Sequence, residues 1–210
     1  MSDPAGQRLA APDAPDSSQP VSRAHPGGEA QVRECMQRWL ERAVIGLNLC
    51  PFAKAVHVKG QVHYRVSDAS DAPHALRHLR EELLALATLA PSVRDTTLLV
   101  LPDGFADFLD FNDLLDPAEA LVDELGLQGV LQIASFHPRY QFAGTHEEDI
   151  TNFTNRAPYP TLHLLREDSI ARAVQAFPQA STLYEANMRT LQSLGHAGWQ
   201  RLGVGPTDLP

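Results

Sequence analysis

Cysteine is scarce: Cys35 and Cys50 are the only two in 210 residues. Two thiols make no disulfide framework, and Cys35 falls on the apolar stripe of an expected helix, where a small buried thiol is common. No stretch approaches the roughly 20 apolar residues that cross a bilayer. The opening MSDPAGQRLAAPDAPDSSQP has neither the basic start nor the apolar core of a secretory signal, so the expectation is no membrane partner and a cytoplasmic location. Basic residues are outnumbered, 17 Lys and Arg against 26 Asp and Glu for a formal net charge of −9. They form no cluster on any expected element, which argues against nucleic acid and anionic membranes as partners. Also missing are the phosphate-cradling G-x-x-x-x-G-K-[ST], the dinucleotide G-x-G-x-x-G and the G-x-S-x-G nucleophile turn, so no cofactor is expected.

What is present is ordinary globular composition, 43% hydrophobic and 20% charged, enough for one domain that folds without metal or disulfide. Residues 1–28 are rich in Pro, Ala, Ser, Asp and Gly without hydrophobic periodicity and are expected to form a disordered tail. The domain is expected to span residues 29–195, followed by a flexible C-terminal segment, 196–210. From Glu29, apolar residues Val32, Cys35, Met36, Trp39, Leu40, Ala43, Val44 and Leu47 recur at helical spacing. Val62, Tyr64 and Val66 then alternate with polar residues as in a half-buried strand, and Asp71 with Pro73 opens a second helix carrying Leu76, Leu79, Leu83 and Leu86. Thr96 to Leu101 reads as a buried strand, Phe108 to Gly126 as helix interrupted near Leu115, and Val130 to Phe136 as a third strand. Thr161 to Leu165 makes a fourth, followed by helices from about Ser169 and from Thr182. Such alternation predicts an α/β fold, a mostly parallel four-stranded sheet with helices packed on it in a single domain.

Three separated motifs stand out: Asn48-Leu49-Cys50-Pro51-Phe52-Ala53, Ser135-Phe136-His137-Pro138, and Asn155-Arg156-Ala157-Pro158-Tyr159-Pro160-Thr161. Their combination and order resemble an uncharacterised bacterial family, number fourteen-fifteen in the series of domains of unknown function. The likeness runs from about Glu29 to Leu194, and it brings a family label without an activity or a catalytic assignment.

The residues themselves suggest where a site would lie. Ligands of open α/β sheets sit beyond the carboxyl ends of parallel strands, which draws attention to Asp103 after the second strand, His137 after the third and Arg166 after the fourth. If Pro51 opens a helix, Cys50 faces unpaired backbone donors that stabilise a thiolate; if Cys50 ends the first helix, it is a small hydrophobe. Cys50, His137 and Asp103 supply the nucleophile, base and orienting group of thiol catalysis. Arg156, with Asn155 beside it, offers a planar fork for an anionic substrate. The alternative is that Arg156 pairs with Glu147, Glu148 or Asp149 and Asn155 caps the preceding turn, in a surface loop pinned by Tyr140, Phe142 and Phe153. His57, His63, His137, His146 and the Glu147-Glu148-Asp149 run supply metal-binding types without a diagnostic spacing, so no metal ligand is assigned. The expected function is a small-molecule enzyme, a thiol/His-based hydrolase or acyl transferase acting on an anionic substrate. The alternatives are a non-catalytic ligand-binding or assembly domain and, next, a metal-dependent enzyme. Oligomeric state is not legible.

Overall fold

The computed structural model describes residues 28–176 and 182–205, so the expected tail, apart from Gly28, and the last five residues lie outside the described residues. Helix α1 (Gly28–Trp39) buries Val32, Cys35, Met36 and Trp39 along its apolar stripe and continues into a π-helical turn, Leu40–Ile45. The chain then reverses through Asn48, in the left-handed region at φ 55°, a conformation that asparagine tolerates better than most residues. A short helix α2 (Ala53–Val58) follows.

Strand β1 (Val62–Val66) leads to α3 (Ala72–Thr88), whose start is fixed by the Asp71 carboxylate accepting the His74 backbone N–H at 2.9 Å, with proline in the first turn. Strand β2 (Thr96–Val100) is buried at every position. Helices α4 (Phe108–Asp113) and α5 (Leu115–Glu124) follow, and the Asp107 side chain caps α4 through the N–H groups of Leu109 and Asp110. Strand β3 (Leu131–Phe136), a 3₁₀ helix (Ile150–Thr154), strand β4 (Thr161–Arg166), α6 (Glu167–Ala176) and α7 (Leu183–Arg201) complete the order.

The four strands form one sheet in the order β1-β2-β4-β3. Only β1 and β2 pair in parallel; β4 runs antiparallel to both β2 and β3. The sheet is therefore mixed, and the expectation of a mostly parallel sheet is corrected. The reason lies in residues 137–160: they contain only a single 3₁₀ helix, not a crossover helix, so the chain re-enters the sheet from the edge at which it left. Thr161 pairs with Phe136, and Arg166 with Leu131.

Two apolar layers cover the sheet. On one face Leu99, Leu162 and Leu164 pack with Leu79, Leu83 and Leu86 of α3 and with Phe111, Leu114 and Leu121 of α4 and α5. On the other, Tyr64, Leu98 and Val100 pack with α1, Tyr159 and Val204. Helix α7 kinks at Gly195, whose φ of 65° with ψ of 172° is open to glycine, and carries Trp199 back onto α1. Val204 is buried, and the Gly205 carbonyl accepts from the Cys35 thiol at 3.5 Å. Among the described residues no helix is long and apolar enough to cross a membrane.

Candidate functional site

A cavity of about 890 Å³ opens on the α1 face of the sheet. Its floor is Leu98, Ala134, Phe136, His163 and Leu165; the π-helical turn supplies Leu40 and Val44, the Cys50 turn and α2 a second wall, and α6 a third through Ser169, Ile170 and Ala173. Because β4 runs antiparallel, its carboxyl end lies beside the amino ends of β1 and β2, and Gln61, Asp95 and Arg166 meet at the same rim. The volume suits a small organic molecule, and the lining is apolar apart from a few polar groups.

His163 is the most informative of these groups. Its Nε2 lies 2.7 Å from the Thr96 hydroxyl oxygen, which is also 2.7 Å from the Leu164 carbonyl. A carbonyl accepts only, so the hydroxyl proton is directed to Leu164, and Nε2–H of His163 donates to the hydroxyl oxygen. Nδ1 is then an acceptor, and it has no hydrogen-bond partner among the described residues. Burial holds the ring's pKa down at about 4, so it is neutral at physiological pH.

Cys50 lines the same cavity. Neither sequence alternative describes it fully: the first helix has ended by Ile45, and α2 begins only at Ala53 with Phe52 as its cap. The backbone N–H groups of Phe52 and Ala53 bond the sulfur and favour thiolate, but burial is the larger influence and pushes the thiol's pKa up. Cys50 therefore rests as a neutral thiol. At the rim, Ser169 donates to Asp95 at 2.6 Å and accepts from Arg172 at 2.9 Å. Lys59 and Arg172 are exposed there and make two cations against the carboxylate of Asp95.

The other residues singled out in the sequence lie elsewhere. His137 is fully buried on the α4 side of the sheet: Nε2–H donates to the Phe105 carbonyl at 2.9 Å, Nδ1 accepts from the Arg139 N–H at 3.0 Å, and the ring stacks on Phe111. Both nitrogens are committed to backbone groups. Asp103 stands in the turn after β2, where Gly104 passes so close to the Ala69 carbonyl that a Cβ would sit 2.8 Å from it. The structure thus does not bring Cys50, His137 and Asp103 to one cavity: Cys50 lines the cavity on the α1 face, while His137 and Asp103 follow the carboxyl ends of β3 and β2. Asn155 donates to the Ser135 carbonyl, and its own carbonyl accepts from the His137 N–H. Arg156 donates to the carbonyls of Tyr140 and Glu147 and covers the Phe153 ring at 4.3 Å, beside a small pocket of about 140 Å³. These bonds pin the 137–160 connection.

Asn152 organises that connection. Its amide nitrogen donates to the carbonyls of His146 and Glu147, and its oxygen accepts from the Phe142 N–H and the Thr145 hydroxyl. Asn152→Ala orphans these buried partners, with an expected loss of about 2 kcal/mol. Limited proteolysis is expected to cut first between residues 137 and 160 in the variant.

Two groups escaped the sequence reading. His163 looked like a strand histidine whose neighbours were unknown, and only the strand order, which puts β4 between β2 and β3, gives it a covered position. Asp68, His74 and His78 bring ligand atoms within 4.8 Å of one another, a set able to hold a metal ion; the four-residue spacing of the two histidines on one helix was the available signal.

A match to a family model described as a protein of unknown function, DUF1415, covers residues 31–201. The chain belongs to this family. No curated protein and no solved structure matches the chain. The match spans every element that builds the cavity in this DUF1415 domain, from α1 to α7.

Proposed function

We propose that this DUF1415 domain binds a small, largely apolar molecule with an acidic head group in the cavity beside Cys50 and His163. The observation that carries this reading is the cavity itself, an apolar chamber whose rim sets Lys59 and Arg172 against Asp95 in a chain of net charge −9. An acidic protein repels anions in general, so a local excess of cations marks the place where one is received. Inside, the free Nδ1 of His163 accepts a hydrogen bond and the Cys50 thiol donates one, which orients a polar group within the apolar chamber.

Thermal-shift titration with a medium-chain monocarboxylate, and with the primary amine of the same length, tests this. The acid is expected to stabilise the fold by about 2.7 kcal/mol at a hundredfold excess over its Kd, and the amine to do nothing. Ala134→Phe, which fills the floor, is expected to abolish the shift. No shift with acids, or a shift unchanged in Ala134→Phe, overturns the reading.

A second reading, thiol acyl transfer, is favoured by the two N–H groups bonded to the Cys50 sulfur. In it the sulfur bonds to a carbonyl carbon, the thiol proton passes to Nδ1 of His163 and on to the departing group, and water cleaves the resulting thioester. Labelling rate against pH separates the two. A neutral thiol used for binding is expected to label slowly at pH 7, with a midpoint above the ordinary value of about 8.5; an activated nucleophile labels fast well below it.

A further inference from the structure

The carboxyl end of β1 lies at the edge of the sheet away from the cavity. There the chain leaves β1 through Ser67 and Asp68 and enters α3, so one short connection places a carboxylate beside the first turns of the helix. His74 and His78 are four residues apart on α3 and therefore share a face; their rings lie 4.7 Å apart between centroids. Asp68 Oδ1 is 3.6 Å from His74 Nε2, and the ligand atoms of all three residues fall within 4.8 Å of one another.

That spacing is close to what an ion requires. Around a tetrahedral ion with bonds of about 2.0–2.1 Å, ligand atoms stand about 3.4 Å apart. The contraction needed is about an ångström, within reach of the Asp68 side chain, which is 61% exposed, and of His74, at 28%. His78 is already held in place. Its Nδ1 is 2.8 Å from the Ser67 hydroxyl, and that oxygen is itself held by the Ala69 N–H at 3.1 Å, with Ser67 and His78 both buried. With Nδ1 engaged there, Nε2 is the nitrogen left for an ion, and it has no hydrogen-bond partner among the described residues. A buried hydroxyl that fixes the far nitrogen of an imidazole is the kind of outer partner that metal-binding histidines use.

We infer that Asp68, His74 and His78 form a mononuclear site for a divalent transition ion of the zinc class, with Ser67 as a positioning residue. Two imidazoles and one carboxylate suit zinc and its first-row neighbours, whereas calcium and magnesium call for oxygen ligands. Three protein ligands with the carboxylate side facing solvent leave a coordination position for water, the arrangement found where an ion activates that water. The site stands apart from the cavity and does not depend on what the cavity binds.

The test uses the full chain produced without an affinity tag, stripped with a chelator, and titrated calorimetrically with zinc chloride and by visible absorption with cobalt chloride. One ion per chain is expected, with cobalt giving the bands of a four- or five-coordinate site. Ser67→Ala is expected to weaken zinc binding by about 10- to 100-fold, and D68N or H74A by more. These two carry partly exposed side chains, and circular dichroism checks that their folds are retained. H146A is expected to bind zinc unchanged. No stoichiometric binding, binding that survives the D68N/H74A double variant, or binding lost in C50A but kept in H74A would each overturn the assignment.

Discussion

Replacing Arg166 with methionine is expected to lower the stability of the domain by about 3 to 5 kcal/mol, because three buried carbonyls lose their donor at about 1 to 3 kcal/mol each. Arg166 sits at the carboxyl end of β4, almost fully buried. Its guanidinium donates to the carbonyls of Leu86, Leu89 and Arg94, where α3 ends and the chain turns toward β2. Helix carbonyls at a carboxyl end have no partner within the helix, and a buried end needs one from outside. Methionine fills much of the same space but donates nothing, so three acceptors are left dry. Arg166→Lys is expected to recover only part of the loss, because an ammonium lacks the planar fork that reaches several carbonyls together. Urea unfolding of the three proteins measures this. A loss below about 1 kcal/mol for methionine would show that the carbonyls are satisfied by other means.

Acidification from pH 7 to pH 4 is expected to remove about 3 kcal/mol through His163 alone. In the fold its pKa is about 4 because burial penalises the charged ring; in the unfolded chain it titrates near the ordinary value of about 6.5. Above that value the ring is neutral in both states and contributes no slope. As pH falls below about 6.5 the unfolded state takes up the proton first, so stability declines, and the decline ends once pH has passed the folded value. At about 1.36 kcal/mol per pH unit, the interval amounts to about 3 kcal/mol. Burial depresses His63, His78 and His137 in the same direction, and they add to the slope with the same sign. His163→Phe keeps an aromatic ring in the cavity floor and removes the titration. The stability difference between pH 7 and pH 4 is expected to shrink by about 3 kcal/mol in this variant, and an unchanged difference would exclude a neutral, buried His163.

Local elements were legible because each is written in the residues that build it. The stripe from Val32 to Val44 encodes a helix, the alternation of Val62, Tyr64 and Val66 a strand with one covered face, and the Asp71-Pro73 pair a helix start, and all three appear where their chemistry puts them. The direction of β4 was not legible, since Thr161 to Leu165 alternates identically whichever way it is threaded. That one ambiguity moved Arg166. With β4 taken as parallel, the strand ends gather Asp103, His137 and Arg166; with β4 antiparallel, Arg166 goes to the opposite edge and His163 becomes the floor of a chamber. Cys50 was singled out because its turn is marked by Pro51. The surroundings of His137 were not legible, because the two backbone groups that engage its nitrogens come from Phe105 and Arg139, and nothing local announces the first of these. The Asp68, His74 and His78 set was present in the order of residues but needed the β1–α3 connection to show that the carboxylate lands on the histidine face.

The strand that arrives last in the chain occupies an interior place in the sheet, separating β2 from β3. A nascent chain that has emerged only as far as Pro160 therefore holds a β1–β2 ribbon and a detached β3, each with an unpaired hydrogen-bonding edge. Closure awaits delivery of residues 161–166, whose partners in β2 are some sixty positions upstream, and pairing over such separations is slow compared with local helix formation. Until then the half-built protein presents open ribbon edges to every other chain in its surroundings, and its safe assembly becomes a race between synthesis of residues 161–166 and collision with a neighbour.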